Sequence, residues 1–279
     1  MFMKNKMKEN CMSLRIIYGR AGTGKSSLCF EEINKLITEE NKIYIITPEQ
    51  FSFTAEQRLL ETVETSVVNA EVITFERIAN RLLNTTRGLK KKILSNSAKQ
   101  MLIYSVLLEE KKNLNFLGKS EENVELLFNT ITELKKHNIH VNKLLDSIEN
   151  IDENYLKLKL QDIYRIYFQY EEKIKSNYID IDDLLTKITT ILEESSMFKD
   201  AIIYIDEFVG FTPQEYQMIK ILLRVAKSVT ITICSDNIEN RAKGMFYSSN
   251  RTVAKLLEIA DEEKVEIQNK IKLTKNYRF

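Results

Sequence analysis

Little in this chain ties it to a membrane, a disulfide framework or a metal cluster. No apolar run approaches the roughly 20 residues that cross a bilayer. Lys4, Lys6 and Lys8 are not followed by the apolar segment of a secretion signal. Cysteine is scarce: Cys11, Cys29 and Cys234 stand far apart with no C-x-x-C, which argues against disulfides or a metal site and reads as reduced thiols in a cytosolic protein. His137 and His140 are the only histidines, and this H-x-x-H pair has no Cys or acidic pair at metal spacing beside it, so both read as solvated side chains. Charge of one sign is missing too. The formal net charge of +1 speaks neither for nor against nucleic acid, which leaves only a local basic patch to do so. Residues 1–12 read as a disordered extension, with Met12 as an alternative start.

Proline is nearly absent, and both examples are informative. Thr47-Pro48-Glu49-Gln50 and Thr212-Pro213-Gln214-Glu215 each follow an apolar or aromatic stretch and read as N-cap, first helical proline and capping-box partner. The strands expected before them are Ile43–Ile46 and Ala201–Ile205; another is expected at Val229–Cys234. A chain of 279 residues, 43% of them hydrophobic, can hold one large domain or two modest ones. Buried strands alternating with helices predict an α/β fold, a parallel sheet with helices on both faces. Residues 13–88 and 198–279 are expected to form it discontinuously, around a helical insertion subdomain at 89–197. That insertion carries apolar stripes at Val124, Leu127, Phe128, Ile131, Leu134 and at Leu156, Leu160, Ile163, Tyr167, Tyr170, Ile174, which read as core. Its tyrosines, Tyr155, Tyr164, Tyr167, Tyr170 and Tyr178, could stack on bases; helical spacing favours packing for most of them.

What the chain does have is Gly19-Arg20-Ala21-Gly22-Thr23-Gly24-Lys25-Ser26, which fits the phosphate-binding P-loop G-x-x-x-x-G-K-[ST]. An apolar strand, Leu14–Tyr18, precedes it, and Cys29, Ile33, Leu36 and Ile37 follow at helical spacing. Glycines let several backbone N–H groups face one anion, and the helix dipole adds to that field. Lys25 is placed to reach the outer phosphates of ATP, and Ser26 to hold Mg²⁺. A glycine turn that merely ends in Lys-Ser is the plainer alternative; the flanking strand and helix weigh against it.

Hydrolysis needs a carboxylate near the metal and a group that orients water. Ile202-Ile203-Tyr204-Ile205-Asp206-Glu207 is an apolar strand ending in two acids. Asp206 is expected to hold Mg²⁺ through water, and Glu207 to act as general base. A strand end that simply meets solvent is the alternative. The reading requires Ser26 and Asp206 to converge; placement on distant, non-adjacent strands would exclude it.

The order of motifs resembles the first RecA-like domain of UvrD-type superfamily 1 helicases. After the P-loop, Ile45–Gln50 resembles motif Ia and Val72–Leu83 the "TFH" segment with its helix. Tyr178–Leu185 resembles the "DFDDLL" return from the insertion, and Asp206-Glu207-Phe208 with Thr212-Pro213-Gln214 resembles motif II. Ile233–Asp236 sits where motif III would be, and Leu273–Arg278 resembles "L-x-x-N-Y-R". No glutamine-containing segment precedes the P-loop, and Ser235-Asp236-Asn237-Ile238-Glu239 lacks the motif III glutamine. These departures make the chain most similar to the B subunits of bacterial AddAB (RexAB) helicase–nucleases. Those are much longer, with a second helicase-like half and a C-terminal nuclease whose cysteines hold an iron–sulfur cluster, so the resemblance implies an N-terminal piece or a truncated product.

The resemblance implies a RecA-like P-loop NTPase sheet binding ATP and Mg²⁺, with Arg278 approaching the γ-phosphate. It implies action on double-stranded DNA ends and single-stranded DNA in recombinational repair, in the cytoplasm, as a heterodimer with the helicase–nuclease A subunit, the main motor. Thr47 and Thr74 lie at strand ends where the family touches the DNA backbone, and helix capping is an equal reading for both. Arg77 and Arg81 on the next helix are further DNA candidates, or simply a solvated face. A freestanding P-loop phosphotransferase and a nucleotide-independent scaffold stay open as alternatives. The long insertion and the Asn-Tyr-Arg segment argue against the phosphotransferase.

Overall fold

The computed structural model describes residues 12–37, 41–62, 69–85, 91–119, 123–239 and 244–277. The expected extension, Met12 apart, and Cys11 lie outside them. Strand β1 (Ser13–Gly19) is apolar on both faces, and its Leu14, Ile16 and Ile17 are fully buried. Helix α1 (Lys25–Leu36) buries Cys29, Phe30 and Ile33, which recur at helical spacing and share a core with β2 (Ile43–Ile46). Helix α2 (Glu49–Thr62) adds Ala55 and Leu59 to that core. Next come β3 (Ala70–Ile73) and α3 (Phe75–Thr85).

The chain then runs through β4 (Lys92–Leu94), α4 (Asn96–Glu110), α5 (Asn123–Lys136), α6 (Val141–Glu149), α7 (Asn154–Ile174), β5 (Tyr178–Asp180) and α8 (Leu184–Lys187). Helix α9 (Thr189–Glu194) leads to β6 (Ile202–Ile205), α10 (Pro213–Val225), β7 (Ser228–Cys234), α11 (Tyr247–Glu262), β8 (Glu266–Ile267) and β9 (Ile271–Lys272). Among the described residues, no helix is long and apolar enough to cross a membrane.

The fold class is α/β. A seven-stranded sheet has the order β3-β2-β6-β7-β1-β8, with β9 also on β1, and its pairings are parallel. Parallel strands carry apolar residues on both faces because helices cover both; all four residues of β6 are buried. The phosphate-loop strand β1 and the acid-bearing strand β6 are not neighbours: β7 runs between them, Gly19 opposite Cys234 and Ile205 opposite Ile231.

The residues cluster into two compact units, one of 1–82, 188–211 and 215–279 and one of 83–187 with 212–214. Residues 188–197, grouped by sequence with the helical stretch, thus cluster with the sheet. The helical unit has its own core, built on Ile103, Val106 and Leu107 of α4, Leu127 and Ile131 of α5, and Ile163, Ile166, Tyr167 and Tyr170 of α7. It also carries a two-stranded parallel sheet, β4 with β5.

Two lysines belong to this core. Lys99 lies fully buried on α4 and Lys135 nearly so on α5. The segment Asp180-Ile181-Asp182-Asp183 surrounds them. Lys99 pairs with Asp182 and lies 3.4 Å from Asp180; Lys135 lies 3.2 Å from Asp180 and 2.8 Å from Asp183, and pairs with Glu171. The Tyr170 hydroxyl donates to Asp180 at 2.7 Å. Gln214 closes the cluster from above, its amide donating to the Lys135 and Asp182 carbonyls at 3.1 and 2.7 Å. Gln214 is therefore a buried tie.

Candidate functional site

The glycine loop is shaped by contacts a side chain would block. A Cβ on Gly19 would lie 2.5 Å from the Leu273 carbonyl oxygen, and Gly24, at φ +81°, opens α1 from the left-handed region. No side chain caps α1, so its first N–H groups and the positive end of its dipole remain for a ligand. Thr23 folds back on the loop, its hydroxyl donating to the Arg20 carbonyl at 2.9 Å. Lys25 donates to the carbonyls of Gly19 and Arg20, both at 3.0 Å. Arg20 turns outward to Asp236 at 2.7 Å, across the Phe246 ring.

Ser26 and the two acids converge despite the intervening strand. The Ser26 hydroxyl donates to Glu207 Oε1 at 3.0 Å. Asp206 is buried and accepts from the Thr232 hydroxyl, which projects from β7, the strand in between. The Asp206 backbone N–H donates to the Ile46 carbonyl at 3.0 Å, anchoring the end of β6 to β2. Glu207 holds φ +65°, a left-handed conformation that costs a non-glycine residue about 1 kcal/mol or more. These groups line one cavity of about 670 Å³ with Ala21–Leu28, Glu31, Arg58, Phe208, Val209, Cys234, Leu273 and Tyr277. Its size suits a small ligand.

Sequence reasoning missed some of these. Thr232 sits in a β-branched run that gave no sign of its carboxylate partner. Tyr277 belongs to a segment singled out for Arg278; its backbone N–H donates to the Gly22 carbonyl at 2.9 Å, placing the tyrosine on the loop. Arg278 itself lies outside the described residues. Cys29 sits on the inner face of α1, where burial, with Asp206 and Glu32 adding to it, pushes the thiol well above its ordinary range. It is no nucleophile at neutral pH.

The DNA candidates are placed as follows. The Thr74 hydroxyl accepts from the Arg77 backbone N–H at 3.2 Å and so caps α3. Among the described residues the buried Thr47 hydroxyl has no hydrogen-bond partner, which corrects the capping expected of it: its segment enters α2 through a bond from the Phe51 N–H to the Pro48 carbonyl at 2.9 Å. Arg77 bridges Glu56 and Glu49 at 2.8 and 3.1 Å, and Arg81 pairs with Glu71. Both arginines are therefore held on a solvated face. Thr74→Ala should lower stability by about 1 kcal/mol, read as a lower urea midpoint at unchanged m-value, whereas Thr47→Ala should lose no hydrogen bond.

In the helical unit, Tyr167 and Tyr170 are packed inside, while Tyr155 is exposed. His137 is exposed, its Nδ1 2.9 Å from the Glu133 carbonyl. Among the described residues the acidic group at metal-ligand spacing is Glu171, Asp180 and Asp183, and the Lys135 ammonium already lies against all three.

The family described as "ADDB, N-terminal" matches residues 16–279. The B subunit of an ATP-dependent helicase/deoxyribonuclease of Clostridium botulinum (strain Loch Maree / Type A3) is 36% identical over 272 residues, covering 94% of this chain and 24% of the relative. The protein of the same name in Clostridium tetani (strain Massachusetts / E88) is 37% identical over 283 residues, covering 96% and 25%. The one in Clostridium novyi (strain NT) is 38% identical over 267 residues, covering 93% and 24%. The chain spans about a quarter of the length of these curated relatives.

Proposed function

We propose, since this chain belongs to the ADDB N-terminal family, that it is the ATP-binding, helicase-like region of the B subunit of an ATP-dependent helicase/deoxyribonuclease. The observation that carries this reading is the meeting of Lys25, Ser26, Asp206 and Glu207 at one cavity. In this reading the backbone amides around Gly22 and Gly24 and the end of α1 receive the β- and γ-phosphates. Lys25 exchanges its two loop carbonyls for phosphate oxygens. A glycine turn without function would not require a buried carboxylate braced by Thr232 opposite it.

The donor set fits Mg²⁺: a serine hydroxyl and a carboxylate are hard oxygen ligands, and no soft ligand competes beyond the Cys234 thiol at the cavity wall. Ser26 and Asp206 would hold the ion, and once bound it would neutralise phosphate charge. Glu207 leaves its bond to Ser26 and is then free to orient water. The same reading makes the sheet unit a RecA-like lobe and the helical unit its insertion. It places the whole protein in the cytoplasm, working on DNA ends with single strands as product, beside the partner polypeptide that the relatives' name implies.

Helicase motors work by closing two such lobes on ATP, and residues 13–279 supply one parallel sheet of this kind. Isothermal titration with Mg-ATP should therefore show weak binding that disappears in EDTA. The same chain should fail to unwind a fluorescent forked duplex. No heat with Mg-ATP would favour the scaffold alternative, and phosphoryl transfer to a nucleoside would favour the phosphotransferase.

A further inference from the structure

The helical unit has a cavity of its own, of about 260 Å³, lined by Lys91, Glu171, Glu172, Ile174, Lys175, Tyr178 and Lys187. At first sight its charges nearly balance. Glu171, however, is engaged by the buried Lys135, and Glu172 by Lys175 at 3.0 Å. Among the described residues Lys91 donates to the Lys175 carbonyl alone. Lys91, Lys92 and Lys187 are exposed and have no ion-pair partner among the described residues. The sheet pairing brings Lys92 opposite Tyr178, a residue 36% exposed. The result is a rim of three exposed lysines, without ion-pair partners among the described residues, around an accessible aromatic side chain, set on a small sheet fastened to the buried ion cluster through Asp180.

We propose that this cavity of the helical unit binds a single strand of nucleic acid, with Lys91 and Lys187 on phosphates and Tyr178 stacked on a base. Groove lysines that track a backbone, beside an aromatic platform, are the combination single strands require. The cavity is smaller than the roughly 300–1,000 Å³ of sites for whole small ligands; it suits one unit of a longer chain that runs on over the surface. An acidic protein segment would use the lysines but gains nothing from a stacking ring. The inference rests on the reading of the chain as part of a DNA-processing enzyme and adds to it where a strand is held.

The test is fluorescence anisotropy of a labelled oligothymidylate against the chain over a range of salt, with Mg-ATP titration run in parallel. Lys91→Glu with Lys187→Glu should weaken oligonucleotide binding by about tenfold or more. The salt slope should become shallower by about 0.7 for each phosphate no longer neutralised. Tyr178→Ala should weaken binding by about tenfold at unchanged salt slope. Nucleotide binding should be untouched in both variants; its failure in the unmodified chain would count against the phosphate-loop site alone. Should the double reversal not fold by circular dichroism, Lys91→Ala with Lys187→Ala is read by the same criterion. Wild-type affinity in the folded variants, no oligonucleotide binding by the unmodified chain, or equal competition by polyglutamate would each overturn the proposal.

Discussion

Lys25→Ala should abolish measurable retention of a labelled ATP analogue while leaving the thermal unfolding of the free chain nearly unchanged. The asymmetry follows from what the ammonium touches. In the structure it donates to two loop carbonyls at 3.0 Å, one of the bonds exposed and the other half-buried. Water can replace it at both, so folding loses little. A triphosphate offers no such substitute: removing the cation leaves a concentrated negative charge facing Glu31, Asp206 and Glu207 across the same cavity. Losing one partner of a charge pair of this kind costs about 3 kcal/mol, or more than a hundredfold in affinity. Equal retention by variant and unmodified chain would place nucleotide elsewhere or nowhere.

The largest stability effect is expected from Asp180. Asp180→Asn should destabilise the helical unit by about 3–5 kcal/mol, and Lys135→Met by a similar amount. Asp180 is completely buried and lies within 3.4 Å of both lysines. Burial opposes its charge, but Lys135 and Lys99, with the Tyr170 hydroxyl, outweigh it and hold the carboxyl below the usual aspartate range. Lys135 is in turn held above the usual lysine range, its own burial outweighed by Asp180, Asp183 and Glu171. Asp180→Asn takes from both lysines the one counter-charge that is fully buried with them; Asp182, Asp183 and Glu171, which remain, are partly exposed.

A group whose folded pKa is depressed stabilises at every pH above its unfolded value and loses that contribution as the pH falls through the folded one. Acid should therefore weaken the helical unit only below about pH 4, and Asp180→Asn should remove that limb. Urea unfolding followed by circular dichroism from pH 3 to 7 reads both effects. An unchanged midpoint in Asp180→Asn at pH 7 would show that the cluster contributes nothing.

Much of this was legible in the sequence, for identifiable reasons. Buried parallel strands announce themselves as apolar runs, and β1, β2, β6 and β7 fall within a residue of where Leu14–Tyr18, Ile43–Ile46, Ala201–Ile205 and Val229–Cys234 place them. The phosphate loop is local in sequence, so its residue types could be read directly. The short strands β4, β5, β8 and β9 are too brief for any period to show.

The buried ion cluster was not legible in the sequence. Lys99 continues the stripe Ile103, Val106 and Leu107, and Lys135 the stripe Val124, Leu127 and Ile131. A charge on the core face of a helix signals a buried partner, but only the fold reveals that Asp180, Asp182 and Asp183 supply it. Thr47 and Thr74 show the opposite limit. They sit in like positions after a strand, yet one caps a helix and the other is buried without a partner among the described residues, a distinction set by backbone geometry that residue type does not encode.

The seating of β1 carries a consequence for how the protein is made. Its flanks are β7 on one side and β8 and β9 on the other, and the Leu273 N–H donates to the Tyr18 carbonyl at 2.8 Å. A strand at the start of this fold must therefore wait for partners that lie much further along the chain. Until they emerge from the ribosome, an apolar strand has no neighbours, a long-range pairing of the kind that folds slowly and exposes chains to aggregation. Nucleotide cannot rescue such an intermediate, because a ligand stabilises only a state that already binds it.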